Sequence, residues 1–116
     1  MDAAYVTRWA GTVPGREAQA LAVLEESLEF WGKQAADGKC DPPQVYGAPN
    51  GAGMKIVHGD RDQLAALVAS DEYSRILTKV QHVADAWDFN IWLTGEALNE
   101  QLKQWMTIGK EMGVIR

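Results

Sequence analysis

The hydrophobic pattern of this chain switches repeatedly between a two-residue and a helical period, and that alternation limits its folds more than any motif does. Residues 3–13 (AAYVTRWAGTV) mix β-branched and aromatic side chains and stop at Pro14-Gly15, which reads as a strand and a breaker. One parity collects Tyr5, Thr7, Trp9 and Val13, the other Val6, Arg8, Ala10 and Thr12. Neither is plainly polar, so both sides of this strand are expected to be covered. From Arg16 the period lengthens: Leu21, Leu24, Leu28, Trp31 and Ala35 recur at steps of three and four, giving an amphipathic helix that Gly38 ends. Glu17 in its first turn suits the helix dipole.

Gln44–Ala48 and Met54–Gly59 read as two strands of a hairpin around the turn-forming Pro49-Asn50-Gly51-Ala52-Gly53. Met54, Ile56 and His58 share one side of the second strand, Lys55 and Val57 the other. Asp60-Arg61-Asp62-Gln63 then reads as a capped helix start, with Leu64, Leu67 and Val68 as its first apolar stripe. Ser70-Asp71-Glu72 is a second start signal, so a bend or break is expected there. Ile76, Val80, Val83 and Trp87 continue at helical spacing. Phe89, Ile91 and Leu93 alternate with Asn90, Trp92 and Thr94 in a final strand, and after Gly95 a last helix aligns Leu98, Leu102, Trp105, Gly109 and Met112. The order is β-α-β-β-α-β plus a C-terminal helix, an α+β plan of the ferredoxin-like, split βαβ type. At 116 residues one domain is expected, 1–116, with 96–116 as a helical extension.

Composition removes several classes of function. Eleven Lys+Arg against 16 Asp+Glu leave a net charge of −5, which argues against nucleic acid and anionic membranes as partners. The longest apolar run, Leu64–Ala69, is far short of the roughly 20 residues a bilayer crossing needs. Cys40 is the single cysteine, so neither an internal disulfide nor a multi-cysteine metal site can form within one chain. With an acid at Asp2 and no apolar region behind it, the start does not read as an export signal, and a cytoplasmic location is expected.

Three local segments carry a resemblance. Val13-Pro14-Gly15-Arg16-Glu17 at the first strand-to-helix turn, Gly59-Asp60 before the second helix, and Ser70-Asp71-Glu72-Tyr73 midway in the second helical region are similar to segments of the dimeric α/β-barrel superfamily. That superfamily includes antibiotic-biosynthesis monooxygenases and haem-degrading, haem-binding and stress-response proteins. The resemblance covers about residues 3–95 and assigns no particular family within the group. It implies two sheets packed face to face in a homodimer. The sequence supports this, because a four-stranded sheet with helices on one face leaves the other bare. Trp9, Val57 and Trp92 are among the residues that such a face would expose, beside the charged Arg8 and Lys55. The C-terminal helix would fold back over the sheet or exchange onto the partner.

The resemblance also implies, for the cofactor-independent oxygenases of that group, an Asn on the first strand, a Trp on the first helix and a His on the second. Trp31 and His82 stand where the last two would be, but the first strand offers Thr7 and Arg8 and no Asn. Trp31 also continues the leucine stripe, and His82 lies about 200° round the helix from Val80, at the solvent side. The activity is therefore not carried over, and whether the chain is an enzyme stays open.

His58 is the catalytic candidate, since a neutral imidazole at a strand end can act as a base or as an axial haem ligand. A satisfied, partly buried histidine is the competing reading. Together with Asp60 or Cys40 it has no repeated ligand spacing, so neither a metal site nor a resident cofactor is expected. Asp41 beside Cys40 opposes thiolate formation. Gly47–Lys55 has neither the spacing nor the following helix of a phosphate loop and reads as a hairpin turn. Ser27 and Ser74 fall in helices, and Ser70 reads as a cap.

The aromatic group is the strongest lead. Tyr5, Trp9, Tyr46 and Trp92 sit on strands, with Arg8, His58 and Asn90 among them as polar anchors. Pockets for flat organic ligands have this composition; a tryptophan-rich dimer core would have it too. The expectation is a homodimeric protein with a cavity between sheet and helices for a small hydrophobic or aromatic molecule. The alternatives are a non-catalytic homo-oligomeric module that uses its C-terminal helix, and a cofactor-independent monooxygenase-like or isomerase-like enzyme.

Overall fold

The structure is a computed structural model that describes residues 1–116. β1 spans Ala3–Trp9 and β2 spans Gly11–Thr12, so the strand expected over residues 3–13 is interrupted at Ala10. The neighbours of β1 end opposite Trp9 and Arg8, and backbone groups beyond that point need other partners. β2 finds them in β5, Ala84–Asp85, with the Ala10 N–H donating to the Asp85 carbonyl at 3.0 Å.

α1 runs Glu17–Ala36. It buries Val23, Ser27, Phe30 and Trp31, whereas Leu21 of the expected stripe is 58% exposed and Leu24 and Leu28 are only half-buried. The helix is rotated from the leucine stripe because its two large rings choose the inward side. Phe30 and Trp31 pack on Tyr73 at ring-centroid distances of 4.9 and 5.1 Å, and Trp31 packs on Tyr5 at 5.3 Å.

The hairpin forms as expected, β3 over Gln44–Gly47 and β4 over Gly53–Gly59, with Asn50 Oδ1 accepting the Ala52 N–H in the turn. The second helical region is broken at Ala69-Ser70 into α2, Arg61–Val68, and α3, Asp71–Val83. Ser70 caps α3 by accepting the Tyr73 N–H at 3.3 Å. Asp60 sits at the N-cap of α2 without making a side-chain cap bond; Asp2 Oδ1 accepts the Arg61 N–H instead, at 2.8 Å. Trp87 does not continue the helical stripe. Ala84 turns extended to pair with β2, and Trp87 lies in the turn before β6, Asp88–Leu93, stacked on Phe89.

The main sheet has the order β3-β4-β1-β6 with every neighbouring pair antiparallel, which is the ferredoxin-like arrangement. Cross-strand register assigns the faces. Ala3, Tyr5, Thr7 and Trp9 share the face covered by α1 and α3 with Lys55, Val57, Phe89, Ile91 and Leu93. Ala4, Val6, Arg8, Met54, Ile56, His58, Asn90 and Trp92 lie on the open face, joined by Gln44 and Tyr46. Lys55, one of the charges expected to mark a bare face, is instead buried on the covered one.

α4, Gly95–Glu111, does not fold back over the sheet. Leu98, Leu102, Trp105, Met106, Ile108 and Met112 are all exposed, and only Gly109 is buried, beneath Ile115. The molecule is accordingly elongated, 53 × 33 × 26 Å, with a radius of gyration of 16.7 Å. A compact chain of this length would have about 13 Å.

Candidate functional site

Rotating α1 so that Ser27 faces inward has a chemical consequence. It completes the floor of a cavity of about 240 Å³ between the sheet, α1 and α3. Trp9, Val23, Leu24, Leu77, Val80 and Val83 form apolar wall, and the rim opens beside exposed Glu17 and Leu21. The volume exceeds the roughly 150 Å³ that accepts a benzene ring in an apolar protein cavity. Two ties hold the helices over it: Lys79 Nζ donates to both carboxylate oxygens of Glu26 at 2.9 Å, and Arg16 Nη1 donates to the His82 carbonyl at 2.6 Å.

The polar lining is concentrated in Thr7, Ser27, Lys55 and Tyr73. Thr7 and Lys55 are opposed across β1 and β4, so their side chains rise from the sheet side by side. Lys55 Nζ donates to Ser27 Oγ and, at 3.1 Å, to Tyr73 Oη. It also lies 5.5 and 5.8 Å from the ring centres of Tyr73 and Tyr5, within cation–π range. Lys55 is only 3% exposed and takes part in none of the molecule's ion pairs.

Burial therefore pushes the Lys55 ammonium below its ordinary range, and its contact with Tyr73 only partly restores it. Burial alone would raise the Tyr73 phenol. The charge of Lys55 and hydrogen bonding from Tyr5 and Lys55 outweigh that and hold it below the usual phenol value. For Tyr5 the balance runs the other way: burial, and then Tyr73, push it far up. The two hydroxyls lie 3.0 Å apart and share a hydrogen bond. Tyr73 Oη receives a hydrogen bond from Lys55 and shares one with Tyr5 Oη, and both contacts favour negative charge on that oxygen. Thr7 and Trp31 lie close enough to favour the phenolates of Tyr5 and Tyr73 respectively. Neither Thr7 Oγ1 nor Trp31 Nε1 reaches normal hydrogen-bond geometry, and both atoms are buried without a partner.

The seven residues expected to form a ligand site divide between the two faces. Tyr5 and Trp9 are on the covered face, Trp9 in the cavity wall and Tyr5 behind Tyr73. Arg8, Tyr46, His58, Asn90 and Trp92 are on the open face. There Arg8 forms a two-pronged pair with Asp88, at 3.1 and 2.8 Å, and Tyr46 Oη donates to Gln44 Oε1. His58 and Trp92 flank Ala4, half-buried and exposed respectively. A second, more open hollow at the hairpin end touches Arg8, Trp9, Tyr46 and Met54. Its charged group is already matched by Asp88, whereas Lys55 has no counter-charge. Trp31 is sealed in the core and His82 is exposed; neither lines the cavity. Cys40 is buried, and burial together with Asp41 pushes its thiol up, away from reactivity.

Lys55, Tyr73, Ser27 and Thr7 were not among the candidates from sequence. One signal was present: Lys55 shares strand parity with Val57, opposite the Met54–Ile56–His58 side, and Tyr73 stands three residues before Ile76 on the inward stripe of α3.

The arrangement defines a class: a ferredoxin-like α+β chain with an apolar cavity under its helices. No family model and no curated protein matches the chain. Solved structures do. A cofactor-independent oxygenase of Streptomyces nogalater, SnoaB, is similar with a TM-score of 0.63 at 16% identity, covering 78% of this chain and 90% of that one. A Mycobacterium tuberculosis protein gives 0.63 at 14% identity, covering 82% and 94%. A Bacteroides fragilis protein described as dimeric, ferredoxin-like and of unknown function gives 0.53 at 8%, covering 78% and 95%. Likeness at these identities establishes the fold.

Proposed function

We propose that this protein binds a small hydrophobic or aromatic molecule in the cavity between the sheet and helices α1 and α3. The observation that carries the reading is a buried lysine without a counter-charge at the floor of an apolar cavity large enough for a ring. Burying an ammonium costs several kcal/mol, and lysine is almost never fully buried unless it is paired. Trp9 in the wall gives the test a signal. Titration with toluene or naphthalene should quench tryptophan fluorescence saturably, and Trp9→Phe should remove most of that change. A linear, non-saturating response across such a panel refutes the reading.

We further infer that two copies associate. The open face presents Tyr46, Met54 and Trp92 to solvent, and α4 presents Leu102, Trp105 and Met112, more apolar surface than a monomer ordinarily leaves wet. The description of the Bacteroides fragilis neighbour as dimeric supports the same reading. Light scattering after size exclusion should give twice 12.8 kDa. Trp105→Glu combined with Trp92→Asp should weaken the assembly, and a monomer mass for the native chain at micromolar concentration refutes it.

A further inference from the structure

We propose that the cavity selects a small apolar monoanion, a molecule whose single carboxylate or ionised phenol pairs with Lys55 and Thr7 while its ring or chain fills the apolar space. The proposal rests on the cavity being a ligand site and names the ligand's chemistry. An ammonium has three hydrogens, and Lys55 spends two, on Ser27 Oγ and Tyr73 Oη. The third is unclaimed. Its register partner across the strands is Thr7, which lines the same cavity and whose Oγ1 is buried without a partner. A cation with a spare N–H beside a hydroxyl with a spare O–H is a two-point donor set for an oxyanion.

The remaining groups set the charge and size of what fits. Tyr5 and Tyr73 face Lys55 from β1 and α3, and Ser27 faces it from α1. Tyr73 Oη accepts from Lys55 and shares a hydrogen bond with Tyr5 Oη, so it anchors the ammonium at the cavity floor. Glu17 at the rim, whose Oε1 accepts the Gly15 N–H at 3.2 Å, is the carboxylate of the lining and disfavours a second negative charge near the entrance. With Lys55 as the one cation in the lining, a dianion such as a phosphate monoester would leave a charge unmatched among Val23, Leu77 and Val80. A monoanion with an apolar body leaves none.

The test titrates the full chain and Lys55→Met with benzoate, 4-nitrophenol and the neutral isostere benzamide, at a pH where both acids are ionised. The native chain should bind benzoate or 4-nitrophenolate at least about tenfold more tightly than benzamide, the value of one charge-assisted hydrogen bond. Lys55→Met should abolish that preference and leave benzamide binding in place, and Thr7→Val should reduce the preference without abolishing it. Preference for benzoate assigns a carboxylate ligand, and preference for 4-nitrophenolate assigns a phenol or enol. Equal binding of benzamide and the anions overturns the proposal while the cavity reading stands. No saturable binding of any of the three overturns both.

Discussion

Removing the Lys55 charge should make the protein more stable, and the size of the gain follows from what surrounds it. Lys55→Met keeps an unbranched chain of similar length on the covered face of β4 and deletes a buried ammonium that has no carboxylate partner. Replacing a buried ionic group by a well-packed apolar one is neutral or stabilising by about 1–4 kcal/mol. Against this, Ser27 and Tyr73 each lose a hydrogen bond, a loss of about 1 kcal/mol apiece at most, because both line the cavity and can turn to water. The terms together span about −1 to +4 kcal/mol, and the middle of that range, a net gain of about 1–2 kcal/mol, is the expected outcome, about 4–10 °C in Tm for a domain of this size. Urea unfolding followed by circular dichroism measures it. A loss of stability beyond about 1 kcal/mol would show instead that Lys55 is a structural strut.

The same variant has a pH signature whose sign can be worked out. Lys55 titrates below its ordinary 10.5 in the folded chain, so between the folded and unfolded values the unfolded state holds the extra proton. Stability of the native protein must then rise with pH through that window. Tyr73, held below its ordinary 10.0, adds to the rise. Cys40 above 9.0 and Tyr5 above 10.0 work against the rise, since burial keeps their protons on in the folded state after the unfolded state has lost them, and past 10.5 the slope is downward. Lys55→Met removes the lysine's contribution and the charge that lowers Tyr73, so the alkaline rise should flatten. An unchanged rise would refute the assignment of the cluster.

Two further outcomes are expected. A Cβ at Gly53 would sit 2.5–2.9 Å from the Trp9 indole, so Gly53→Val should displace that ring from the cavity wall, shift tryptophan emission and destabilise by about 1–3 kcal/mol; an emission spectrum identical to native would contradict the packing. Ser70→Ala removes the hydroxyl that accepts the Tyr73 N–H, which should cost about 1 kcal/mol in urea unfolding and loosen Tyr73, the residue linking Tyr5 to Lys55. No change in stability would mean that the cap contributes nothing.

Local pattern carried the element order. Period two over Phe89–Leu93, helical spacing from Arg16, the turn at Asn50-Gly51 and the start signal at Ser70 each reflect the few residues around them, and the topology βαββαβ follows from their sequence. What pattern could not carry was rotation and register. The sequence of α1 offers two overlapping inward stripes, one through Leu21, Leu24 and Leu28, the other through Val23, Ser27 and Trp31. The choice between them is made by rings more than 40 residues apart, where Tyr73 meets Phe30 and Trp31. The same holds for Trp87, which helical spacing placed in a core stripe until the pairing of Ala84 with Thr12 ended the helix.

The candidate site was divided for the same reason. Parity separated Lys55 from His58 and Tyr5 from Arg8 within each strand, but could not say which parity of one strand shared a face with which parity of another. Register decided that, setting Thr7 opposite Lys55 and Ala4 between His58 and Trp92. The sequence by itself determined the principal elements, their order and the surplus of aromatic surface. Only the tertiary structure decided that a lysine would be buried without a counter-charge beneath two helices, because the contacts that bury it come from segments 18 and 28 residues away along the chain.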